Sequence, residues 1–323
     1  MLQISTVHGN ASLDRVTYNA LSILTSINRT SIPVYAGCRK PFMRPAVHAP
    51  DIHGSSGIDG TNLLPEPTAS PNPGNAIMAM REAIMATPLH TCLLVATGTL
   101  TNVALLLATF PEVAAHLKEV SIMGGAFRER PDACGNITPT AEFNIYCDPE
   151  AAHSVLTHPA LDGRVTLVPL DLTHTVLATE EVLARLLNRG EDGKPPGGFR
   201  RMLFELLTYF SATYARVFDI TAGPPLHDPL AVAAVLPTDE VEWEMEKVRV
   251  NVVCHGDEVG KTVKTLEEPP AVGAGLGGEG KDPYTVVRVT KKVDVDAFWK
   301  LLLDMVEKAE GRYTWLEEEV LPN

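Results

Sequence analysis

Apolar residues along this chain fall into short continuous runs and into stripes at helical spacing, and the alternation of the two predicts the architecture. Residues 2–7 are apolar and β-branched, so the chain opens within a strand. His8-Gly9-Asn10 turns it, and residues 12–25 carry Leu13, Val16, Ala20, Leu21 and Leu24 at the spacing of a helix. Strand, glycine turn and helix make the first half of a βαβ unit. The same reading predicts further strands at 32–35, 92–96, 120–123 and 165–170, with helices at 75–86, 100–108, 148–156 and 179–188. The run at 92–96 is apolar throughout, as a strand covered on both faces requires. Residues 37–58 read as loop, and the prolines of 61–73 exclude regular structure there.

Beyond residue 190 the signals change. Glycines and prolines at 190–198 mark a mobile surface loop, after which 200–218 forms a long amphipathic helix bearing Tyr209 and Tyr214, both expected to pack. Gly223-Pro224-Pro225 stops it ahead of His227-Asp228-Pro229 and a helix at 230–235. A strand pattern at 241–254, a glycine-rich loop at 270–281, a strand at 285–289 and a helix at 295–308 close the chain. Buried strands alternating with helices imply an α/β fold, an open, mainly parallel sheet with right-handed crossovers, in one domain spanning 1–323. Ligands on such sheets gather at the carboxyl ends of the strands. That rule places Asn10, Thr97, Gly124, the 135–144 loop and Asp171 on one rim.

Composition narrows the partners. A formal charge of -13 over 323 residues, with no basic stripe, argues against a nucleic-acid polymer or an anionic membrane. Residues 89–110 lack any Asp, Glu, Lys or Arg, but Thr97-Gly98-Thr99 divides them into strand, turn and helix start, so they do not read as a membrane span. Five cysteines without a Cys-x-x-Cys pair suggest neither a zinc cage nor a disulfide framework. With no signal peptide evident, a reducing, cytoplasmic setting is expected.

The stretch 135–152 concentrates the chemistry. Asn136, Glu142 and Asn144 are side chains able to hold neutral hydroxyls, and Asp148-Pro149-Glu150 reads as a helix start. Glu142 also suits a buried structural acid, and Asn10, Asn136 and Asn144 suit turns equally well. Taken alone, Asp228 reads as an N-cap with Pro229 at the first helical position. In company it is a hard-oxygen ligand for Ca²⁺ or Mg²⁺, beside a His227 able to protonate a leaving group. The His53-Gly54 loop lacks the glycine spacing of a phosphate cradle. His8 and His48, among other histidines, have no partner at metal spacing and receive no role.

Together, Thr6-Val7-His8-Gly9-Asn10, the His53-Gly54 loop, Thr97-Gly98-Thr99-Leu100-Thr101-Asn102, Met123-Gly124-Gly125-Ala126, the 135–152 stretch and His227-Asp228-Pro229 resemble the inosine-uridine preferring nucleoside hydrolases in order and spacing. The 200–235 region looks most like the fungal uridine-type members. The resemblance implies Ca²⁺-dependent hydrolysis of the N-glycosidic bond of ribonucleosides to ribose and free base, in a homo-oligomer. By motif, Thr97 (through its carbonyl) and Asp228 would ligate the metal. Asn10, Met123, Asn136, Glu142 and Asn144 would hold the ribose, and His53 and His227 would lie near the base, with His227 the acid for the leaving group. Family members open with a strand and an Asp-x-Asp-x-x-x-Asp-Asp loop that supplies most calcium ligands and the general base. This sequence begins after that loop, so the first strand of the sheet is expected to be missing, leaving an apolar seam. An inactive relative that binds a nucleoside or a partner protein is the alternative reading.

Overall fold

The computed structural model describes residues 1–129, 134–187, 197–265 and 285–311. The expected loop at 270–281 and most of that at 190–198 lie outside these residues. The first elements are β1 (Ile4–Thr6), α1 (Leu13–Ser26), β2 (Val34–Ala36), α2 (Pro50–His53), α3 (Ala76–Met85), β3 (Leu93–Ala96), α4 (Thr101–Thr109), α5 (Pro111–His116) and β4 (Glu119–Met123). Then come α6 (Phe143–Cys147), α7 (Pro149–Leu156), β5 (Val165–Val168), α8 (Leu170–Thr173), α9 (Glu180–Leu186), α10 (Gly198–Phe218) and α11 (Asp228–Ala233). β6 (Trp243–Val252), β7 (Thr262–Thr265), β8 (Val286–Val293) and α12 (Val295–Glu310) complete the fold.

Six strands form one sheet in the order β3-β4-β5-β8-β6-β7. The first three pairings are parallel, while β6 runs antiparallel to both β8 and β7. Alternation along the strands divides the core in two. Val120, Ile122, Val165 and Leu167 pack with α3, α4, α5 and α7, while Met123 and Val168 pack with α8, α11 and α12 on the other face. Ile122 and Leu167 are fully buried, each contributing roughly 1.5–3 kcal/mol through the water it sheds. Helix starts follow their caps: Asn75 accepts from the backbone of Ile77 and Met78, Asp148 from Ala151, and Asp294 from Ala297. No described helix is long and apolar enough to cross a membrane.

The sequence pattern puts the opening strand in line with the later ones, but β1 and β2 pair only with each other, in a separate two-stranded parallel sheet. No ladder joins β1 to β3. Side chains do so instead: Asn102 Nδ2 donates to the Thr6 carbonyl at 2.9 Å, its Oδ1 accepts from Cys38 N at 2.9 Å, and Thr99 Oγ1 donates to the His8 carbonyl at 2.9 Å. β3 shows the consequence, since Leu93, Leu94 and Val95 are only half-buried whereas all four residues of β5 are buried. β3 therefore presents a half-buried apolar edge, bridged to the end of β1 by side chains.

Short helices were the elements least visible in sequence. α2 lies in the expected loop at 37–58, and α5, α6 and α8 occupy stretches with no helical assignment. α11 begins one residue early: His227 is the N-cap and Asp228 the first helical residue, so the cap role expected of Asp228 is not taken up.

Candidate active site

The carboxyl ends of β3 and β4, the 135–142 loop, α2, α10 and the start of α11 enclose a cavity of about 460 Å³. Its walls include Asn10, His53, Thr97, Met123, Asn136, Glu142, Asn144, His227 and Asp228, so all nine expected site residues line one space. The sheet explains this convergence, because parallel strands deliver their following loops to the same edge.

The 135–142 loop is closed by its own backbone. Gly135 N donates to the Pro139 carbonyl at 3.2 Å, Asn136 N to the Ala141 carbonyl at 3.1 Å, and Thr138 Oγ1 accepts from Ala141 N at 3.0 Å. A β-carbon at Gly135 would lie 2.2 Å from the carbonyl oxygens of Thr138 and Ala141, so the closure needs glycine. Asn136 Oδ1 accepts from Phe143 N at 2.8 Å, leaving its amide nitrogen to a ligand. Asn144 Nδ2 reaches the carbonyls of Thr97 and Met123 at 3.4 and 3.3 Å, so its Oδ1 keeps its accepting capacity.

Glu142 takes up the buried structural role and also lines the cavity. Only 2% exposed, it caps α6 by accepting from the backbone of Asn144 and Ile145 at 2.9 and 3.0 Å, and it holds Gly125 N at 3.2 Å. Burial outweighs these three donors and pushes its carboxyl up to about 7. The turn it grips needs Gly125 at φ +88 and is fixed from behind by Thr262, whose hydroxyl bonds both backbone atoms of Ala126. Asp228 makes no hydrogen bond through its carboxylate among the described residues. Enclosure first, and the charge of Glu142 second, push its carboxyl upward, although contact with cavity solvent moderates the effect.

His227 is held at both nitrogens, Nδ1 by Thr173 Oγ1 and Nε2 by the Tyr214 hydroxyl, each at 2.8 Å. Burial lowers it to about 3, helped by His174 and His53, so it is neutral near pH 7. The same burial raises the Tyr214 phenol. His53 packs edge-on against Phe210 at 5.4 Å and is lowered to about 4 by burial.

Those residues set three amide side chains beside two carboxyls and a histidine, and sequence comparison supplies the family. The profile described as inosine-uridine preferring nucleoside hydrolase matches residues 1–300. The chain belongs to that family. It is 32% identical to the uridine nucleosidase of Saccharomyces cerevisiae, covering 97% of this chain and 90% of that protein. It is 36% identical to the inosine-uridine preferring nucleoside hydrolase of Leishmania major, covering 95% and 89%. In structure it resembles a plant nucleoside hydrolase, with a TM-score of 0.77 at 26% identity over 95% of this chain and 90% of that one. A purine-preferring ribonucleoside hydrolase from Gardnerella vaginalis shares the fold, with a TM-score of 0.79 at 23% identity over 96% and 90%.

As a nucleoside hydrolase family member, the chain also shows what its sequence concealed. Tyr214, expected to pack, places its hydroxyl on His227 and lines the cavity. The signal was present in the α10 stripe Phe210, Tyr214, Val217 and Phe218, which has helical spacing but a face no core claims. His48, given no role, also lines the cavity and anchors through Nδ1 to the Gly9 carbonyl at 2.8 Å. His8 is buried outside it, with Nε2 3.0 Å from Thr101 Oγ1, which in turn donates to Asp148 at 2.6 Å. Asp148, the expected helix cap, therefore also ties α7 to the β1 turn.

The oxygen donors can be weighed against the needs of calcium. Asp228 and the Thr97 carbonyl are the expected pair, and among the described residues no group of three or more His, Cys, Asp or Glu could hold a metal ion. Calcium takes 6–8 oxygens. Two protein donors do not fit a calcium cage.

Proposed function

We propose that this chain takes ribonucleosides of the uridine and inosine type and cleaves their N-glycosidic bond, releasing ribose and the free base. One observation carries the reading. A single cavity gathers Asn10, Asn136 and Asn144, with hydrogen-bonding capacity to spare, around the carboxyls of Glu142 and Asp228 and the neutral His227. Cleavage sends the C1′–N electron pair to the base and leaves positive charge on the ribose ring, and a water oxygen then bonds to C1′. Anionic groups and hydroxyl grips in an enclosed site favour that charge over the neutral ground state.

The departing base nitrogen needs a proton. In this reading the Tyr214–His227 pair, hydrogen-bonded at 2.8 Å, delivers it, and because His227 is neutral the transfer becomes favourable only as the base gathers charge. Asp228, whose carboxylate makes no hydrogen bond among the described residues, is the group able either to accept the water's proton or to face a cation. Asp228 and the Thr97 carbonyl, the expected calcium ligands, do not by themselves complete a calcium site. The chain would act as one domain on free nucleosides, in a homo-oligomer and in the cytoplasm.

The test is release of ribose from uridine and inosine by the full chain, with added Ca²⁺ and with chelator. Turnover supports the reading. Binding without turnover favours the alternative, a nucleoside-binding relative, which the shortage of metal donors supports. Neither binding nor turnover would remove both.

A further inference from the structure

Behind the cavity, and lining no part of it, three buried residues from distant parts of the chain are joined by hydrogen bonds. His8, Thr101 and Asp148 are 0%, 1% and 0% exposed. Each lies close in sequence to a group that does line the cavity: Asn10 follows His8, Thr97 precedes Thr101, and Asn144 precedes Asp148. Asp148 Oδ1 caps α7 through Ala151 N at 3.1 Å, and capping needs no more than that. Its Oδ2 nevertheless accepts from Thr101 Oγ1 at 2.6 Å and from Phe42 N at 3.1 Å.

The direction of these bonds fixes the state of His8. Burial lowers its imidazole to about 4, helped by His48, so near pH 7 the ring is neutral and holds one proton on one of its two nitrogens. Thr101 Oγ1 gives its only proton to Asp148, and Thr99 Oγ1 gives its own to the His8 carbonyl at 2.9 Å. Neither hydroxyl has a proton left for the ring, yet His8 Nε2 lies 3.0 Å from the first oxygen and 3.3 Å from the second. The proton therefore sits on Nε2, shared between the two threonines. Nδ1 is left as a buried acceptor with no hydrogen-bond partner among the described residues, so the ring's polar contribution is its Nε2 donor alone.

We propose that Asp148, Thr101 and His8 are positioning residues for the site: Asp148 orients the Thr101 hydroxyl, that hydroxyl holds His8 as its Nε2–H tautomer, and His8 locks the turn carrying Asn10 onto the 97–101 turn. This rests on the nucleoside reading and adds to it three residues that touch no ligand. The two turns follow strands of different sheets with no ladder between them, so side-chain bonds set their spacing. Asn144 Nδ2, 3.4 Å from the Thr97 carbonyl, ties in the third site group. Without the Thr101 hydroxyl, Nε2–H keeps only the longer contact to Thr99, and the buried carboxylate loses one of its three donors.

The experiment uses the full chain and reads kcat/KM for uridine and inosine or, if the chain binds without turnover, the association constant. Thr101→Val keeps the side-chain shape and removes the hydroxyl, and the reading should fall by about ten- to a hundredfold, as displaced site groups require. Thr101→Ser keeps the hydroxyl and should stay within about threefold of wild type. His8→Phe fills the ring's volume without a donor and should lose as much as the valine variant. Val113→Ala, in the buried face of α5 ahead of β4 and remote from both turns, should keep the wild-type reading even where its urea midpoint falls as far as that of Thr101→Val. Proton–nitrogen NMR spectra of the imidazoles, with His8 assigned by its absence in His8→Phe, should place the wild-type proton on Nε2. An Nδ1–H tautomer overturns the proposal, as does a valine variant within about threefold of wild type or a serine variant as impaired as valine. An equal loss in Val113→Ala reduces the network to general stability and overturns it too. Should one substitution prevent folding, the other and the wild-type tautomer still decide. A wild type that neither binds nor cleaves refutes the nucleoside reading itself, a result distinct from a working wild type whose variants work equally well.

Discussion

Glu142→Gln separates the electrostatic burden of the site from its hydrogen bonding. In the folded chain the Glu142 carboxyl is raised from 4.5 to about 7, because its 2% exposure removes the water that would stabilise the anion. A group whose folded value lies above its unfolded value favours folding fully below the unfolded value, and that contribution is lost as pH rises through the folded one. The window is therefore pH 4.5 to 7. At 1.36 kcal/mol per unit, the loss across it is about 3 kcal/mol. The amide of Gln does not titrate, so the variant lacks this slope. It also turns an NH₂ toward backbone donors that Oε1 and Oε2 now satisfy, adding a penalty that does not vary with pH. The Asp228 carboxyl, lifted partly by the charge of Glu142, should ionise at lower pH in the variant. The assay is urea unfolding of both proteins from pH 4 to 8, followed by tryptophan fluorescence. Wild type minus variant should fall by about 3 kcal/mol between pH 4.5 and 8, most of it below pH 7. A difference that stays constant within about 1 kcal/mol would refute the claim that burial governs this group.

Asn102→Ala removes both hydrogen bonds that join the β1 end and Cys38 to α4, and because Asn102 is buried the orphaned partners should lower stability by roughly 2–4 kcal/mol, measured by thermal or urea unfolding. Tyr214→Phe leaves His227 Nε2 without its hydroxyl partner, while Nδ1 keeps Thr173. If the pair supplies the leaving-group proton, kcat for inosine should drop by about ten- to a thousandfold with KM little changed, and an unaltered kcat would exclude the relay. His227, lowered to about 3 by burial, and His53, lowered to about 4, favour folding above pH 6.5 and lose that contribution as pH falls toward their folded values. Acid unfolding should shift to lower pH in His227→Gln, which pH titration of circular dichroism would detect.

The rhythm of apolar residues by itself determined the α/β class, the parallel core from β3 through β5, and the rim on which the site stands. Local chemistry explains why: a buried strand and a helix beside a sheet impose periods of hydrophobicity that survive in one dimension. That Asn136, Glu142 and Asn144 line one cavity was legible for the same reason, since one short stretch holds them all. Tertiary structure alone decided the rest. Tyr214 read as packing because nothing in its neighbourhood reveals that α10 turns this face toward His227, thirteen residues on and reached through the Gly223-Pro224-Pro225 break. Asp228 read as a cap because helix boundaries depend on backbone angles one residue either way, and the structure leaves its carboxylate facing the cavity. The division of the strands into two sheets depends on which backbone edges meet, a long-range pairing that no local pattern encodes. The raised pKa of Glu142 is likewise long-range, since it follows from water excluded by residues distant in sequence.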